Sequence, residues 1–507
     1  MARRLFPYSR FVGLDTVTSP TNMSERYFVD LQDAYIDFRG QIVKGPGTNK
    51  DSSNTQKHFN IKHYGSDKIV RYFRDGTSVK GRATGQSSDS TLFTQNAPAA
   101  LTPLMLVNFD QKQFSFMQGH VPEFFDGTNF ASATVTNASS LGRYPDGGFA
   151  VNILNRLVVA GIPNKPTEIH VSVQDSYQDW RTNTSGGTTP AATDGAIIDV
   201  KNQFTSNDTI QGLAVLEGDK LVVFGKNETL VYLADTNINQ WQIARDFRVP
   251  VGLFGRNTAV NVGTDVFFCS RFGIHSLRRA ASGLTLETIM LSREIQDKYQ
   301  EAVENVPTSG EYIEPHAVWD GEIGQYHVYF PRSNGTVFDR LTFTYEPGVG
   351  RGGFRSFSFT PGANQICASF FARPDSTAVL SALQVGTTSG FGDGQNLSEA
   401  VSMSLRTPLL SQQQPDRYKL YKRLIVRAVG TADFNCVIFD ENNNQLQSTT
   451  VRPEADGFAS TTGINSSQTR PIDIPIPHRA KAISVQFTST NAGELRILDF
   501  GLVVDVK

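Results

Sequence analysis

The sequence predicts a mostly β protein built from repeated hairpins, and three observations predict it. Apolar residues alternate with period 2 in short runs that end at Gly, Asn, Asp or Pro, the mark of half-buried strands. These runs come in pairs joined by tight turns, and the pairs recur along the chain. The 507 residues include 43 Gly, 23 Pro and 35 Phe, with 39% hydrophobic and 19% charged residues. That is enough apolar surface for real cores and too little charge for general disorder.

Taken in order, residues 1–33 have little to pack on locally and read as an arm. Ala34 to Lys44 is a hairpin turned by Arg39-Gly40 and stopped by Gly45-Pro46-Gly47. Six further hairpins start at Lys68, Gln113, Leu157, Leu221, Val266 and Tyr326, at intervals of 45, 44, 64, 45 and 60 residues. Three of the five intervals match the repeat of propeller blades. The interval of 64 contains the polar segment Thr182–Pro190, which reads as an exposed loop inserted near 182–196. The interval of 60 contains the one stretch with helical spacing, near 291–305. There Ile295, Tyr299 and Val303 share a face, and Ser292 is placed to cap.

A further pair, Ile366–Phe371 and Ala378–Leu383, leaves six or seven blades open. Ring closure is favoured physically, because a blade cannot bury both faces alone. Two unrelated β-sandwiches would also account for hairpins that share a pattern without sharing sequence. Beyond Gly394 a new set of strands, at Arg417–Arg427, Asn435–Phe439, Ala482–Phe487 and Leu495–Leu498, suits a small β-sandwich. The expected organisation is therefore an arm and hairpin over 1–50, a β-propeller-like domain over 51–394 and a β-sandwich over 395–507.

Forty-seven Lys plus Arg against 49 Asp plus Glu give a formal charge of -2, which excludes a bulk electrostatic binder of nucleic acid or anionic lipid. Cys269, Cys367 and Cys436 are too few and too scattered for a disulfide framework or a zinc site, and they read as core residues. The N-terminus starts basic without an apolar signal region, and no apolar run approaches a membrane span. The expectation is a soluble, unsecreted chain made in a reducing cytoplasm.

The sequence carries few motifs with chemistry of their own. Gly348-Val-Gly-Arg-Gly-Gly353 satisfies the dinucleotide fingerprint, yet the strand pattern Phe354–Phe359 follows where a helix is required. Asp175 and Trp180 keep the spacing of a sialidase-type turn, but Val173 and Tyr177 stand where Ser and Gly belong; a turn with a buried Trp is the simpler account. The eight histidines match no ligand spacing, so neither metal nor cofactor is implied.

Between Lys57 and Arg82 seven cations face two carboxylates, with Phe59, Tyr64, Tyr72 and Phe73 interleaved. Lys62, Lys68, Arg71 and Arg74 are the candidates there for contact with DNA phosphates. The competing reading makes those charges the solvated face of strands whose aromatic face is core. Arg417, Lys419, Lys422, Arg423 and Arg427 form a second basic stretch. Trp180, Phe224 and Phe267 are the core candidates on which the body should depend.

The order of parts resembles the tail nozzle, or packaged-DNA stabilisation, proteins of short-tailed bacteriophages. The residues that carry the resemblance are the hairpin Ala-Tyr-Ile-Asp-Phe-Arg-Gly-Gln-Ile-Val-Lys at 34–44, then Asn155–Gly161, Ile169–Ser172 with Trp180, Asp219–Tyr232, Val249–Gly252 and Val262–Leu277. It spans roughly residues 11 to 350. It implies a non-enzymatic virion protein, assembled in the host cytoplasm as a homohexameric ring below the portal and adaptor. That ring extends the DNA-exit channel and seats tailspikes or fibres, and the family has no catalytic centre to transfer. A near-neutral wall suits such a channel, since a strongly basic one would retain duplex by counterion release. The alternative is a propeller-type glycosidase or carbohydrate-binding tail protein acting on the host surface.

Overall fold

The computed structural model describes most of residues 2–506; besides short loop segments, 49–56, 95–103, 138–142, 280–285, 347–353, 364–380, 384–390, 397–401 and 454–470 lie outside the described residues. The chain is mostly β, with one short α-helix, Gln296–Glu304, among the described residues.

Among the described residues six four-stranded antiparallel sheets follow one another, each a simple meander whose strands pair in chain order. Sheet I comprises Lys57–Tyr64, Lys68–Asp75, Ser78–Ala83 and Ser90–Thr94. Sheet II comprises Met105–Phe109, Lys112–Phe116, Glu123–Phe125 and Phe130–Ser132. Sheet III is Phe149–Ile153, Arg156–Ala160, Glu168–Val171 and Ala196–Asp199, and sheet IV is Gly212–Leu216, Lys220–Phe224, Thr229–Leu233 and Gln242–Ile243. Sheet V is Val260–Val262, Asp265–Cys269, Ile274–Arg279 and Leu286–Met290; sheet VI is His316–Asp320, Gln325–Pro331, Phe338–Glu346 and Phe354–Ala363.

The six hairpin starts read from the sequence all fall on second strands. The reason is burial. Every residue of Arg156–Ala160, Lys220–Phe224, Asp265–Cys269 and Gln325–Pro331 is buried, so these strands are covered on both faces and read as continuous apolar runs, not as alternation. The alternating, half-buried pattern expected for every hairpin is thus corrected at its centre.

Successive sheets pack face to face. Val70 and Tyr72 of sheet I meet Leu106 and Phe125 of sheet II, and Phe114 and Phe116 meet Ala150 and Leu157 of sheet III. Val158 and Ile169 meet Leu221 and Leu230 of sheet IV; Phe224 meets Phe268 of sheet V at 5.0 Å between ring centroids. Phe267 then packs edge-on to Tyr326 of sheet VI. From sheet II to sheet VI the first strands of neighbouring sheets approach one another, so the sheets converge on those strands.

The second body is a pair of sheets made from both ends of the chain. One has the order Ile472–Ala480, Lys419–Gly430, Leu495–Val506, Ile42–Lys44, Ala34–Ile36, with Ala2–Tyr8 also paired to Leu495–Val506. The other has the order Gln445–Val451, Phe434–Asp440, Ile483–Ser489, Met403–Arg406, Asp30–Gln32. Their facing sides share one core, with Phe487 against Phe500 at 5.6 Å. Residues 1–33 are therefore not an arm as expected: seven consecutive pairs, Ala2 with Val506 through Tyr8 with Phe500, build Ala2–Tyr8 into the sheet. Its partner lies nearly the whole chain length away, which local pattern cannot reveal. The hairpin turn forms as read, with Gly40 at φ 74° and a side chain there excluded by the Arg10 backbone 2.5 Å away.

The same core continues from these two sheets into sheets V and VI. Phe354–Ala363 touches Gly13–Leu14, Asp30–Gln32 and Ala34–Ile36, and Arg340 of sheet VI holds the Asp33 carboxylate. The expected helix is present but starts later. Arg293–Ile295 is a 3₁₀ turn, and Ser292 makes no side-chain cap; its hydroxyl accepts the Ile274 N–H at 3.0 Å and ties the turn to sheet V. Tyr299 and Ala302 face inward, Tyr299 edge-on to Phe330.

Candidate functional site

The inserted loop of sheet III is organised around Arg156, the first residue of the second strand. Its side chain is fully buried, and its guanidinium donates to five backbone carbonyls: Asp194 at 2.6 Å, Ala192 at 2.8 Å, Ser172 at 2.9 Å, Thr193 at 3.2 Å and Thr236 at 3.3 Å. Burial pulls the guanidinium below its ordinary value, opposed by the charges of Asp175 and Asp194. The loop read from the sequence as simply exposed is accordingly buried at its C-terminal root. Asp194 is fully enclosed and accepts the Ala191 N–H at 2.6 Å and the Thr184 hydroxyl.

Trp180 lies beneath the same loop, 1% exposed, its indole N–H donating to the Tyr177 carbonyl at 3.0 Å and its ring edge-on to Tyr144. Asp175 sits at the turn with φ 58°, its N–H on the Asn155 carbonyl. The spacing of Asp175 and Trp180 thus produces a turn over a core Trp. Asp179, the nearest carboxylate in sequence, is bound by the Arg181 guanidinium at 2.6 Å.

The convergence of first strands creates a rim. In sheets II, III, V and VI the residue one short of the first strand's end is Asn108, Asn152, Asn261 and Trp319, each facing its partner on the second strand in the same register; in sheet IV the place belongs to Val215. The three Asn are exposed, and Asn152 donates to the Asn108 carbonyl at 3.1 Å, linking two sheets. This repeated polar rim was invisible in the sequence, because it depends on register and not on spacing.

Among the described residues, Ser270, His275, His327, Cys269 and Cys436 are enclosed. Ser270 Oγ lies 2.9 Å from His275 Nε2, but that oxygen also accepts the Phe272 and Gly273 N–H groups, and both side chains are buried. Nδ1 of His275 is buried without a hydrogen-bond partner, so no third group fixes the tautomer a base needs, and burial pushes the ring down to about 4. His327 is pushed to about 3 by burial and by the Arg340 charge. Burial pushes the thiols of Cys269 and Cys436 up to about 12, away from nucleophilic use. Cys367 and the glycine-rich Gly348–Gly353 lie outside the described residues. Among the described residues no three His, Cys, Asp or Glu side chains gather as metal ligands, and no helix is long and apolar enough to cross a membrane.

Of the candidate DNA contacts, Lys68 donates its ammonium to the Gly127 carbonyl and Arg71 is half-buried. Lys62 and Arg74 hold strand positions opposite Val70 and Val79, with side chains outside the described residues. Nearby, Lys80 pairs with Asp75 at 2.5 Å and Arg82 with Asp89 at 3.6 Å. Tyr72 and Phe73 are both buried, so this strand has core on both faces, where one aromatic face was expected. Tyr72 spends its hydroxyl on Gln113 at 2.9 Å. In the second basic stretch, Arg423 pairs with Asp473 at 2.6 Å, Arg427 with Asp499 and Lys422 with Asp505 at 3.6 Å. Phe224 and Phe267 are fully buried in the cores between sheets IV and V and between sheets V and VI.

No protein-family model matches the chain, and no curated protein matches it in sequence. Among solved structures it is similar to a virginiamycin B lyase from Staphylococcus aureus, at 10% identity and TM-score 0.39, covering 68% of this chain and 97% of that one. It is also similar to the extracellular domain of a putative one-component system from B. thetaiotaomicron, at 9% identity and TM-score 0.39, covering 87% and 62%. A third is YCF48 from Cyanidioschyzon merolae, at 10% identity and TM-score 0.35, covering 67% and 96%. At these scores the likenesses carry no weight for activity, and the strand order of the chain itself describes its fold.

Proposed function

We propose that the chain is a structural virion protein, the subunit of a ring-shaped tail nozzle of a short-tailed phage, and that its six meanders are the blades of a closed β-propeller joined to a β-sandwich. The observation that carries this reading is the joining of both chain ends into one two-sheet body packed on the sixth meander. The sequence resemblance supports the same reading, since its motifs run through the N-terminal hairpin and sheets III to V in order.

On this reading the chain works by geometry. Copies join head to tail, close a ring below the portal and adaptor, leave a lumen for double-stranded DNA, and present outer surfaces to tailspikes or fibres. The formal charge of -2 supports a wall that is not a general polyanion binder, and two of the cations, Arg156 and Lys419, are buried and donate to backbone carbonyls. Images of the purified chain mixed with its adaptor test it: sixfold annuli support the nozzle, and isolated single subunits refute it.

The exposed side chains of Asn108 and Asn152, on residues linked at 3.1 Å, favour a second reading, a carbohydrate-binding tail protein, because carboxamides suit sugar hydroxyls. Retention of host polysaccharide by the chain, lost in the Asn108→Ala and Asn152→Ala variants, would move support to it.

A further inference from the structure

We propose that the outward face of the sheet formed by Ile472–Ala480, Lys419–Gly430, Leu495–Val506 and Ala2–Tyr8 is a docking surface for an acidic protein partner. The proposal holds whether or not the chain forms a ring.

The inner face of this sheet is core, so the outer residues follow from register. Three rows cross all four strands: Arg479, Leu420, Asp505 and Arg3; then Pro475, Arg423, Val503 and Leu5; then Asp473, Ile425, Gly501 and Pro7. The middle of the face is apolar and open. Leu5 is 56% exposed, Pro7 and Pro475 are exposed, and Ile425 and Val503 are half-buried. On the strand edge Ala2–Tyr8 has its one partner on one side, which leaves Leu5 at the border of the face.

Charge is distributed unequally around that centre. Toward one end Arg423 is paired with Asp473 and Arg427 with Asp499. At the other end Arg3 and Lys422 share the single carboxylate of Asp505, each at 3.6 Å. Just beyond, the Arg479 guanidinium and the Lys481 ammonium lie 5.6 and 5.4 Å from the ring centre of Tyr418, which is 52% exposed. Arg417 is exposed beside it. Five cations, Arg3, Arg417, Lys422, Arg479 and Lys481, thus border this end against Asp505, Asp416 and Glu441.

The chemistry selects the partner. A basic border calls for an acidic surface, which steers encounter and fixes orientation. The apolar centre beside it is the composition of a protein–protein interface, whereas nucleic-acid interfaces are more uniformly polar and positive.

The test uses the full chain and two peptides, one alternating Glu with Leu and one with every Glu replaced by Gln, together with a random-sequence DNA duplex. The Glu peptide should bind, the Gln peptide should not, and the doubly substituted R479Q/K481Q chain should bind about tenfold more weakly, as should the wild type at ~0.3 M salt. Leu5→Ser should weaken binding while leaving the melting temperature within a few degrees. Equal binding of the two peptides, no binding of either, or indifference to R479Q/K481Q overturns the proposal. Tighter binding of the duplex than of the Glu peptide, or concentration-dependent dimers abolished by Leu5→Ser, overturns it in favour of nucleic acid or of a second copy.

Discussion

The guanidinium of Arg156 donates to the carbonyl oxygen of Asp194 at 2.6 Å, with both residues fully enclosed. Four more carbonyls complete the cage, so a buried cation draws the ends of a long insertion onto the start of a core strand. Removing it takes away the donor to the buried carbonyls of Ser172 and Asp194, while those of Ala192 and Thr193 keep the Ile238 and Gln174 N–H groups. Arg156→Met should therefore lower stability by about 3–5 kcal/mol, with Arg156→Lys intermediate because one ammonium cannot reach the whole fan. Urea unfolding measures the loss, and limited proteolysis should cut first between residues 182 and 195.

Trp180 and Phe224 fill the cores on either side of the third and fourth sheets. Replacing either with Ala removes a large ring from a site with no solvent access. The expected cost is about 3–5 kcal/mol each, and Trp180→Phe should recover part of it. Thermal unfolding of the three variants checks the order.

Burial holds His275 near 4 and His327 near 3, whereas an unfolded histidine titrates at about 6.5. Both rings stay neutral in the folded chain while the unfolded chain gains protons as the pH falls through 6.5. The stability they contribute is intact above that value, declines as the pH drops, and levels off only below the folded values. The urea midpoint should thus be lower at pH 4.5 than at pH 7.5. His275→Gln and His327→Gln should each flatten that dependence.

Ala2–Tyr8 covers the edge of Leu495–Val506 along seven residue pairs, with Tyr8 stacked on Phe500 at 5.0 Å. Deleting residues 2–9 should expose that edge, lower the melting temperature and promote aggregation, which light scattering detects. Tyr8→Ala should show the thermal effect in smaller measure.

What was legible in the sequence is what local periodicity encodes. Leu157–Ala160 and Leu221–Phe224 read as strands from their apolar residues, although the half-buried alternation expected of them gives way to burial on both faces. The turn at Gly40 is equally local. The pairing of Leu5 with Val503 was not legible, since register between segments some 500 residues apart leaves no short-range signature. The Arg156 cage was hidden for a related reason: its acceptors are backbone carbonyls, which carry no residue identity. The rim of Asn108, Asn152 and Asn261 needed the alignment of three hairpins before three scattered Asn became one feature. Ser292 misled because a hydroxyl before a helix can serve either the helix or a neighbouring strand, and here Ile274 claims it.

The most direct test of the nozzle account is the mass of the purified chain in solution, with and without its adaptor, by sedimentation equilibrium. The account predicts a discrete species of six copies, formed at least in the adaptor's presence. A chain that stays at the mass of one copy at every concentration, adaptor included, contradicts it.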